Sequence, residues 1–162
     1  MGKTGPKRTD PPSQKLEIGY VYGYRSYDTR SNLKYNSEGN VVYHTAACGI
    51  ILNKLKNSQI INTEHNDDIT CLDLNVKKNL VVTGEMGKNP IVTVWDALTG
   101  KTIQVFSHPK LIKSIAAVAI SPSGKYVAAV SMCDDHDIFV FDIPSKSLVT
   151  FGKGPKSVVY HI

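Results

Sequence analysis

LVVTGEMGKNPIVTVWDALTGKTIQV, Leu80 to Val105, is the stretch whose reading decides the fold. Leu80, Val81 and Val82 form an apolar run, Gly87, Asn89 and Pro90 a turn, and a second run closes on Val94-Trp95-Asp96. Thr99-Gly100-Lys101 then turns the chain into a third run, Thr102 to Phe106. Short β-branched and apolar runs separated by Gly, Asn and Pro are the pattern of strands joined by tight connections. With Ile69 to Leu74 ahead of them, these runs predict a four-stranded antiparallel meander.

The totals are those of a globular chain: 162 residues, 41% hydrophobic and 20% charged. The sequence contains no apolar run of about 18 residues, and its N-terminus is polar with prolines at Pro6, Pro11 and Pro12. Neither a membrane span nor a signal peptide fits, and the chain reads as cytosolic with no membrane partner. Met1-Gly2 resembles a myristoylation start, but Pro6 stands where that signal needs Ser or Thr. Cys48, Cys71 and Cys133 are odd in number, far apart and without a Cys-x-x-Cys, so they read as buried or half-buried thiols.

Lys3, Lys7, Arg8 and Lys15 against Asp10 place three of the chain's five net positive charges in residues 1–15. Such a basic tail suits salt-sensitive attraction to an acidic surface. It contains no aromatic residue before Tyr20, which argues against nucleic acid as the partner.

From Leu16 to Tyr24 apolar positions alternate with small or polar ones, which predicts a strand. Ser37-Glu38-Gly39-Asn40 between Leu33–Tyr35 and Val41–Tyr43 predicts a hairpin. Tyrosines at 20, 22, 24 and 35 suit a packing junction, where rings bury and hydroxyls reach polar partners. Gly49 to Leu55 and Gln59 to Asn62 supply two more strands. Ile115 to Ile120, Tyr126 to Ser131, Ile138 to Asp142 and Leu148 to Phe151 repeat the meander, and Ser157 to Ile162 reads as the start of another strand.

Trp95-Asp96 closing a strand, with His65 thirty residues upstream, resembles one blade of a WD40 propeller. His108 and Phe141-Asp142 repeat that spacing at 33 residues. Val21-Tyr22-Gly23-Tyr24-Arg25, followed by Asp28, Arg30, Asn32-Leu33 and the Gly-Asn-Val-Val-Tyr turn, resembles the hydrophobic HELP motif. That motif opens the propeller region of the echinoderm microtubule-associated protein-like family. The likeness runs from Leu16 to about Asp142.

The resemblance implies an all-β, incomplete propeller of about two and a half four-stranded blades, preceded by a HELP-type hairpin. Its divisions are a basic tail (1–15), a tyrosine-rich motif (16–40), a partial blade (41–62), two blades (63–107 and 108–151) and the start of another (152–162). Blades run about 40 to 45 residues and the smallest closed propellers have about four, so a closed ring would take nearly the whole chain. An apolar run left as an open edge invites pairing. The chain therefore reads as part of a longer propeller or as one that another chain completes.

By position in the blade pattern, His65, Thr83, Asn89 and Trp95 would form a hydrogen-bonded chain that pins one blade, and His108, Ser131, Asp135 and Phe141 its counterpart. Phe141 has no N–H to donate, so the second chain is expected to be broken. Tyr20, Tyr22, Tyr24, Arg25, Asp28 and Tyr35 carry the packing of the HELP-like motif. Cys133-Asp134-Asp135-His136-Asp137 contains metal-ligand residue types but lacks calcium-loop and zinc spacing, and reads as an Asp-rich turn. Thr99-Gly100-Lys101-Thr102 is not a phosphate loop, because Trp95 stands where the first glycine belongs and no helix follows.

The sequence offers no nucleophile with a base, no paired carboxylates and no cofactor motif, so an enzyme is not expected. The resemblance implies a cytoplasmic cytoskeletal scaffold, a cilium or axoneme included. Its partners would be tubulin, a microtubule or other cytoskeletal proteins, with Lys3, Lys7, Arg8 and Lys15 contacting the acidic surface. The alternative is a generic WD40 adaptor of a multiprotein or RNA-processing complex.

Overall fold

The computed structural model describes residues 13–162. These residues fold into three four-stranded antiparallel sheets, each a simple meander. The first consists of β1 (Leu33–Tyr35), β2 (Val41–Thr45), β3 (Cys48–Asn53) and β4 (Ser58–Asn62). The second consists of β5 (Ile69–Asn75), β6 (Leu80–Glu85), β7 (Val92–Asp96) and β8 (Thr102–Phe106). The third consists of β9 (Ile115–Ile120), β10 (Tyr126–Ser131), β11 (Ile138–Asp142) and β12 (Ser147–Gly152).

The same turn chemistry recurs in every sheet. Asn53, Asp96 and Asp142 end the third strand, and each side-chain oxygen accepts a backbone N–H three residues on, from Lys56 (2.9 Å), Thr99 (2.7 Å) and Ser145 (2.9 Å). A left-handed residue then precedes the fourth strand: Asn57 (φ 48°), Gly100 (φ 70°) and Lys146 (φ 55°). At Gly100 a side chain would also strike Ile60 of the first sheet, its Cβ falling 2.6 Å from the Ile60 Cγ2.

The second and third sheets correspond residue for residue at an offset of 46. Val81 pairs with Trp95 as Val127 pairs with Phe141, and the bulges at Val94/Trp95 and Val140/Phe141 coincide.

The sheets stack face to face, β5 packing on β9 and β2 on β5. Val42 and Ile51 of the first sheet meet Leu72, Val81, Trp95 and Ala97 of the second. Cys71, Val82, Val92 and Val94 of the second sheet meet Val127, Ala129, Phe139 and Phe141 of the third. Each Val, Leu, Ile or Phe side chain among them, taken fully out of water, contributes ~1.5–3 kcal/mol. Gly49 and Gly84 set the spacing, since an added Cβ would fall 2.8 Å from the Trp95 ring at Gly49 and 2.6 Å from Ile115 at Gly84.

This is the all-β open propeller that the sequence led us to expect, and the three sheets do not close on themselves. The expected hairpin forms, pairing Leu33 with Tyr43 and Tyr35 with Val41, but it is continuous with β3 and β4, so the first sheet has four strands. Leu16–Tyr24 is not a strand. The Gln59 side chain replaces a strand neighbour there: it accepts the Val21 N–H at 2.8 Å and donates to the Val21 carbonyl at 3.0 Å. Val21 is satisfied in this way, and the rest of the segment, mostly exposed to solvent and containing Gly19 and Gly23, needs no ladder. Ser157–Ile162 is likewise outside any strand. The Tyr160 ring instead lies under the Arg30 guanidinium at 4.8 Å.

Gly49→Ala is expected to destabilise the fold by about 1–3 kcal/mol through overpacking against Trp95. Gly19→Ala, with nothing within 4 Å of the new methyl, should leave the urea unfolding midpoint unchanged.

Candidate functional site

Two polar assemblies stand out from the apolar sheets. The first lies in the second sheet. Trp95 Nε1 donates to Thr83 Oγ1 at 3.2 Å, Thr83 Oγ1 lies 2.7 Å from His65 Nε2, and His65 Nδ1 lies 2.8 Å from Glu85 Oε2. An indole N–H can only donate and a carboxylate can only accept, so both ends of the chain are fixed: Trp95 donates to Thr83, and the His65 Nδ1–H donates to Glu85. All four residues are buried. Glu85 also accepts the backbone N–H groups of Asn66 (3.1 Å) and Ile91 (3.2 Å), tying the loops on either side of β5 and β6.

Asn89, the expected fourth member, is not in this chain: it is exposed in the β6–β7 loop, and Glu85 takes the position. The reason is geometric. Glu85 ends β6 two residues beyond Thr83, on the same side of the strand as Thr83, whereas the loop carries Asn89 into solvent. A Glu at the end of an otherwise apolar run was the available signal.

In the third sheet the offset of 46 assigns Leu111, Ala129, Ser131 and Phe141 to the positions of His65, Thr83, Glu85 and Trp95. The relay is therefore replaced by Leu111, Ala129 and Phe141, which are all buried. The Phe141 ring stacks on Phe106 at 4.7 Å. The expected members lie apart. His108 packs on Phe139 and Phe151, Ser131 exchanges hydrogen bonds with the backbone of Ile112, and Asp135 pairs with Lys153 at 2.8 Å.

The second assembly fastens the tyrosine-rich segment to the second sheet. Arg25 is buried and forks onto Asp28, Nε to Oδ1 and Nη2 to Oδ2, both at 2.7 Å, while its Nη1 reaches Asp68 ahead of β5 at 2.7 Å. Asn32 and Thr29 close the loop by hydrogen bonds to the Arg25 carbonyl. The bond from Arg25 holds the Asp28 carboxyl below its usual range, and Asp28 in turn raises the guanidinium.

Tyr24 donates to Asn32 and packs edge-on against Tyr43 at 6.1 Å, and Tyr20 donates to Asn57 at 3.0 Å. Tyr22, Tyr24 and Tyr35 do not bury as expected, being 91%, 47% and 56% exposed. Tyr35 lines an apolar groove of about 290 Å³ with Leu33, Val41 and Leu52 on the outer face of the first sheet. A second groove, of about 420 Å³, runs between Ser26–Ser31 and strands β5 and β9, with Val159–His161 along its edge.

His44, which sequence reasoning passed over, is fully buried on β2 with neither ring nitrogen partnered. Burial pushes its pKa down to about 4, with Arg25 and His65 adding to the effect, so the ring is neutral at pH 7.

Lys15 is exposed, and Lys3, Lys7 and Arg8 lie outside the described residues. Cys71 is buried, Cys48 and Cys133 are half-buried, and all three are free thiols. Cys133–Asp137 forms a turn in which the Asp137 N–H reaches Cys133 Sγ at 3.3 Å. Among the described residues no group of three His, Cys, Asp or Glu side chains is placed to hold a metal.

Comparison with known proteins agrees with this anatomy. The HELP motif matches residues 11–50, and the WD domain, G-beta repeat, matches 57–96 and 100–142. The chain belongs to the echinoderm microtubule-associated protein-like family. It is 36% identical over 169 residues to the ciliary WD repeat-containing protein ctxp80 of Euplotoides octocarinatus, a match covering 94% of this chain and 24% of that protein. It is 33% identical over 156 residues to echinoderm microtubule-associated protein-like 2 of Rattus norvegicus, covering 90% of this chain and 24% of the relative. To echinoderm microtubule-associated protein-like 1 of Homo sapiens it is 30% identical over 145 residues, 83% of this chain and 18% of the relative. The chain thus spans about a quarter or less of the curated relatives it matches. The Arg25 clasp joins this family's HELP segment to the WD-repeat sheet that follows it.

Two outcomes test these assignments. Glu85→Ala, which strips partners from His65, Asn66 and Ile91, is expected to cost about 1–3 kcal/mol in urea denaturation, and Asn89→Ala to stay within about 0.5 kcal/mol of the parent. Arg25→Ala is expected to cost about 2 kcal/mol and to raise amide exchange across Val21–Ser31. That is less than the ~3–5 kcal/mol of a fully buried pair, because the Asp28 and Asp68 side chains are 40% and 42% exposed. The folded state binds the Asp28 proton more weakly than the unfolded chain does. The clasp's contribution is therefore full above the ordinary carboxylate pKa of about 3.9 and lost as the pH falls below it. The excess exchange of the variant should be constant from pH 8 to 5, after allowance for intrinsic rates, and vanish in stronger acid.

Proposed function

We propose that this chain is the HELP-containing part of a non-catalytic cytoskeletal scaffold that binds tubulin or docks within a microtubule-based assembly. The observation that carries the reading is the Arg25 clasp. It makes the HELP segment and the blades one body, so that loops and turns are presented as a fixed surface. The relatives at 30–36% identity support the cytoskeletal class, since their names place them with microtubules or cilia. A cytoplasmic, cytoskeleton-associated location follows from the same reading. The outer face of the first sheet, with exposed Leu33 and Tyr35, is suited to a further sheet, in the same chain or another.

In this reading Lys3, Lys7, Arg8 and Lys15 add long-range attraction to an acidic polymer. Co-sedimentation with polymerised tubulin across a salt series tests it. Binding is expected at low salt, to weaken as the Debye length falls from about 30 Å at 0.01 M to about 10 Å at 0.1 M, and to drop several-fold when those four residues are changed to Glu. No co-sedimentation at any salt concentration would overturn the microtubule reading and leave the adaptor one.

A further inference from the structure

The two ends of the sheet stack differ in charge. In an antiparallel meander the turns after the first and third strands emerge at one end and the remaining loops at the other. Hydrogen bonds between neighbouring sheets hold the first set together: Ser37 Oγ to Asn79 Oδ1 (2.6 Å), Asn36 Nδ2 to the Ala97 carbonyl (2.7 Å) and Asn75 Nδ2 to the Ser121 carbonyl (2.8 Å). These turns carry Lys54 and Lys56 in the first sheet, Lys77, Lys78 and Lys101 in the second, and Lys125 and Lys146 in the third, all exposed. Glu38 is the one acid within them, while Asp96 and Asp142 at their edges are used as turn acceptors.

The opposite end carries Glu64, Asp67, Asp68, Asp134, Asp135 and Asp137, and its lysines are in part neutralised: Lys113 pairs with Asp134 and Lys153 with Asp135, both at 2.8 Å. Among the described residues Lys54, Lys56, Lys77, Lys78, Lys101 and Lys146 make no ion pair; Lys125 reaches Asp142 at 3.5 Å.

A second feature marks this end. Leu55, between Lys54 and Lys56, is 99% exposed, and Val76, beside Lys77, is 45% exposed. Apolar tips flanked by unpaired ammonium groups match an acidic polypeptide with occasional apolar side chains. They match nucleic acid less well, because these turns offer no arginine fork for phosphate and the rings beside them are already engaged, Tyr22 on Tyr20, which bonds Asn57, and Tyr126 under Lys125.

We propose that the lysine-bearing turns form a docking surface for an extended, glutamate-rich polypeptide segment, with Leu55 and Val76 taking its apolar side chains. The inference rests on the scaffold reading for the source of the segment, and on the charge geometry for its chemistry. The inter-sheet hydrogen bonds fix the spacing of the turns, so the surface is organised before binding.

The test is fluorescence anisotropy of the 162-residue chain with a labelled twelve-residue peptide of Glu and Gly containing one Phe. A 12-mer oligouridylate and phosphatidylserine vesicles serve as competing probes. Binding of the peptide is expected to weaken about tenfold or more in the Lys54→Glu/Lys56→Glu/Lys77→Glu/Lys78→Glu variant. It should change less than twofold in Lys88→Glu/Lys110→Glu at the other end. Leu55→Ser is expected to weaken binding without altering its salt dependence. Unchanged circular dichroism and thermal midpoint establish that the variants fold, as exposed turn residues allow.

Equal losses from both sets of reversals, no peptide binding, or tighter binding of the RNA or vesicles through the same lysines would each overturn the proposal. Peptide binding at this face without tubulin co-sedimentation would keep it and sink the microtubule reading. Tubulin co-sedimentation with no binding of the peptide would do the opposite.

Discussion

The fully buried Trp95 ring lies over Gly49, so close that a methyl group there would fall 2.8 Å from the ring. This approach sets the distance between the first two sheets, and much else hangs on it. The indole N–H ends a relay through Thr83 and His65 to Glu85, whose carboxylate also holds the backbone on both sides of the second sheet. Sheet spacing and loop order are thereby coupled through one side chain. Buried polar groups are costly when unpaired and stiffening when fully paired, and this set is fully paired.

The third sheet meets the same structural demand with apolar residues. Leu111, Ala129 and Phe141 stand where His65, Thr83 and Trp95 stand in the second, and stacking on Phe106 replaces hydrogen bonding. Either solution satisfies the core, because replacing all partners of a polar set removes the desolvation cost along with the bonds. The clasp of Arg25 on Asp28 and Asp68 then brings the HELP segment onto the same body. Turn ends fixed in this way can present a charge pattern at constant spacing, which flexible lysines on a disordered chain cannot.

Much of this was legible in the residues. The strands of the second and third sheets follow from runs such as Leu80–Val82 and Tyr126–Ser131 bounded by Gly, Asn and Pro, and Trp95 and His65 announce a blade. The errors have physical sources. His108 was matched to His65 by residue type, yet their spacings to Phe141 and Trp95 differ by three residues. Leu111, thirty residues before Phe141, keeps the true register. Ser131 was matched to Thr83 as the hydroxyl residue of the second strand, whereas strand pairing puts Ala129 there. Leu16–Tyr24 has the alternation of a strand, but a single glutamine side chain satisfies Val21 in place of a neighbouring strand.

Sequence alone determined most of the local structure: the strands of the second and third sheets, the turns between them, and that the chain is an open array of blades. These depend on neighbours within a few positions, through backbone sterics and the two-residue period of side-chain direction. The tertiary structure decided that Glu85 and not Asn89 completes the relay, that Arg25 reaches Asp68 43 residues away, and that six lysines without ion pairs among the described residues share one end of the stack. Those facts depend on how the sheets pack, because strand register and the volume of groups such as Gly49 and Trp95 fix which distant side chains meet.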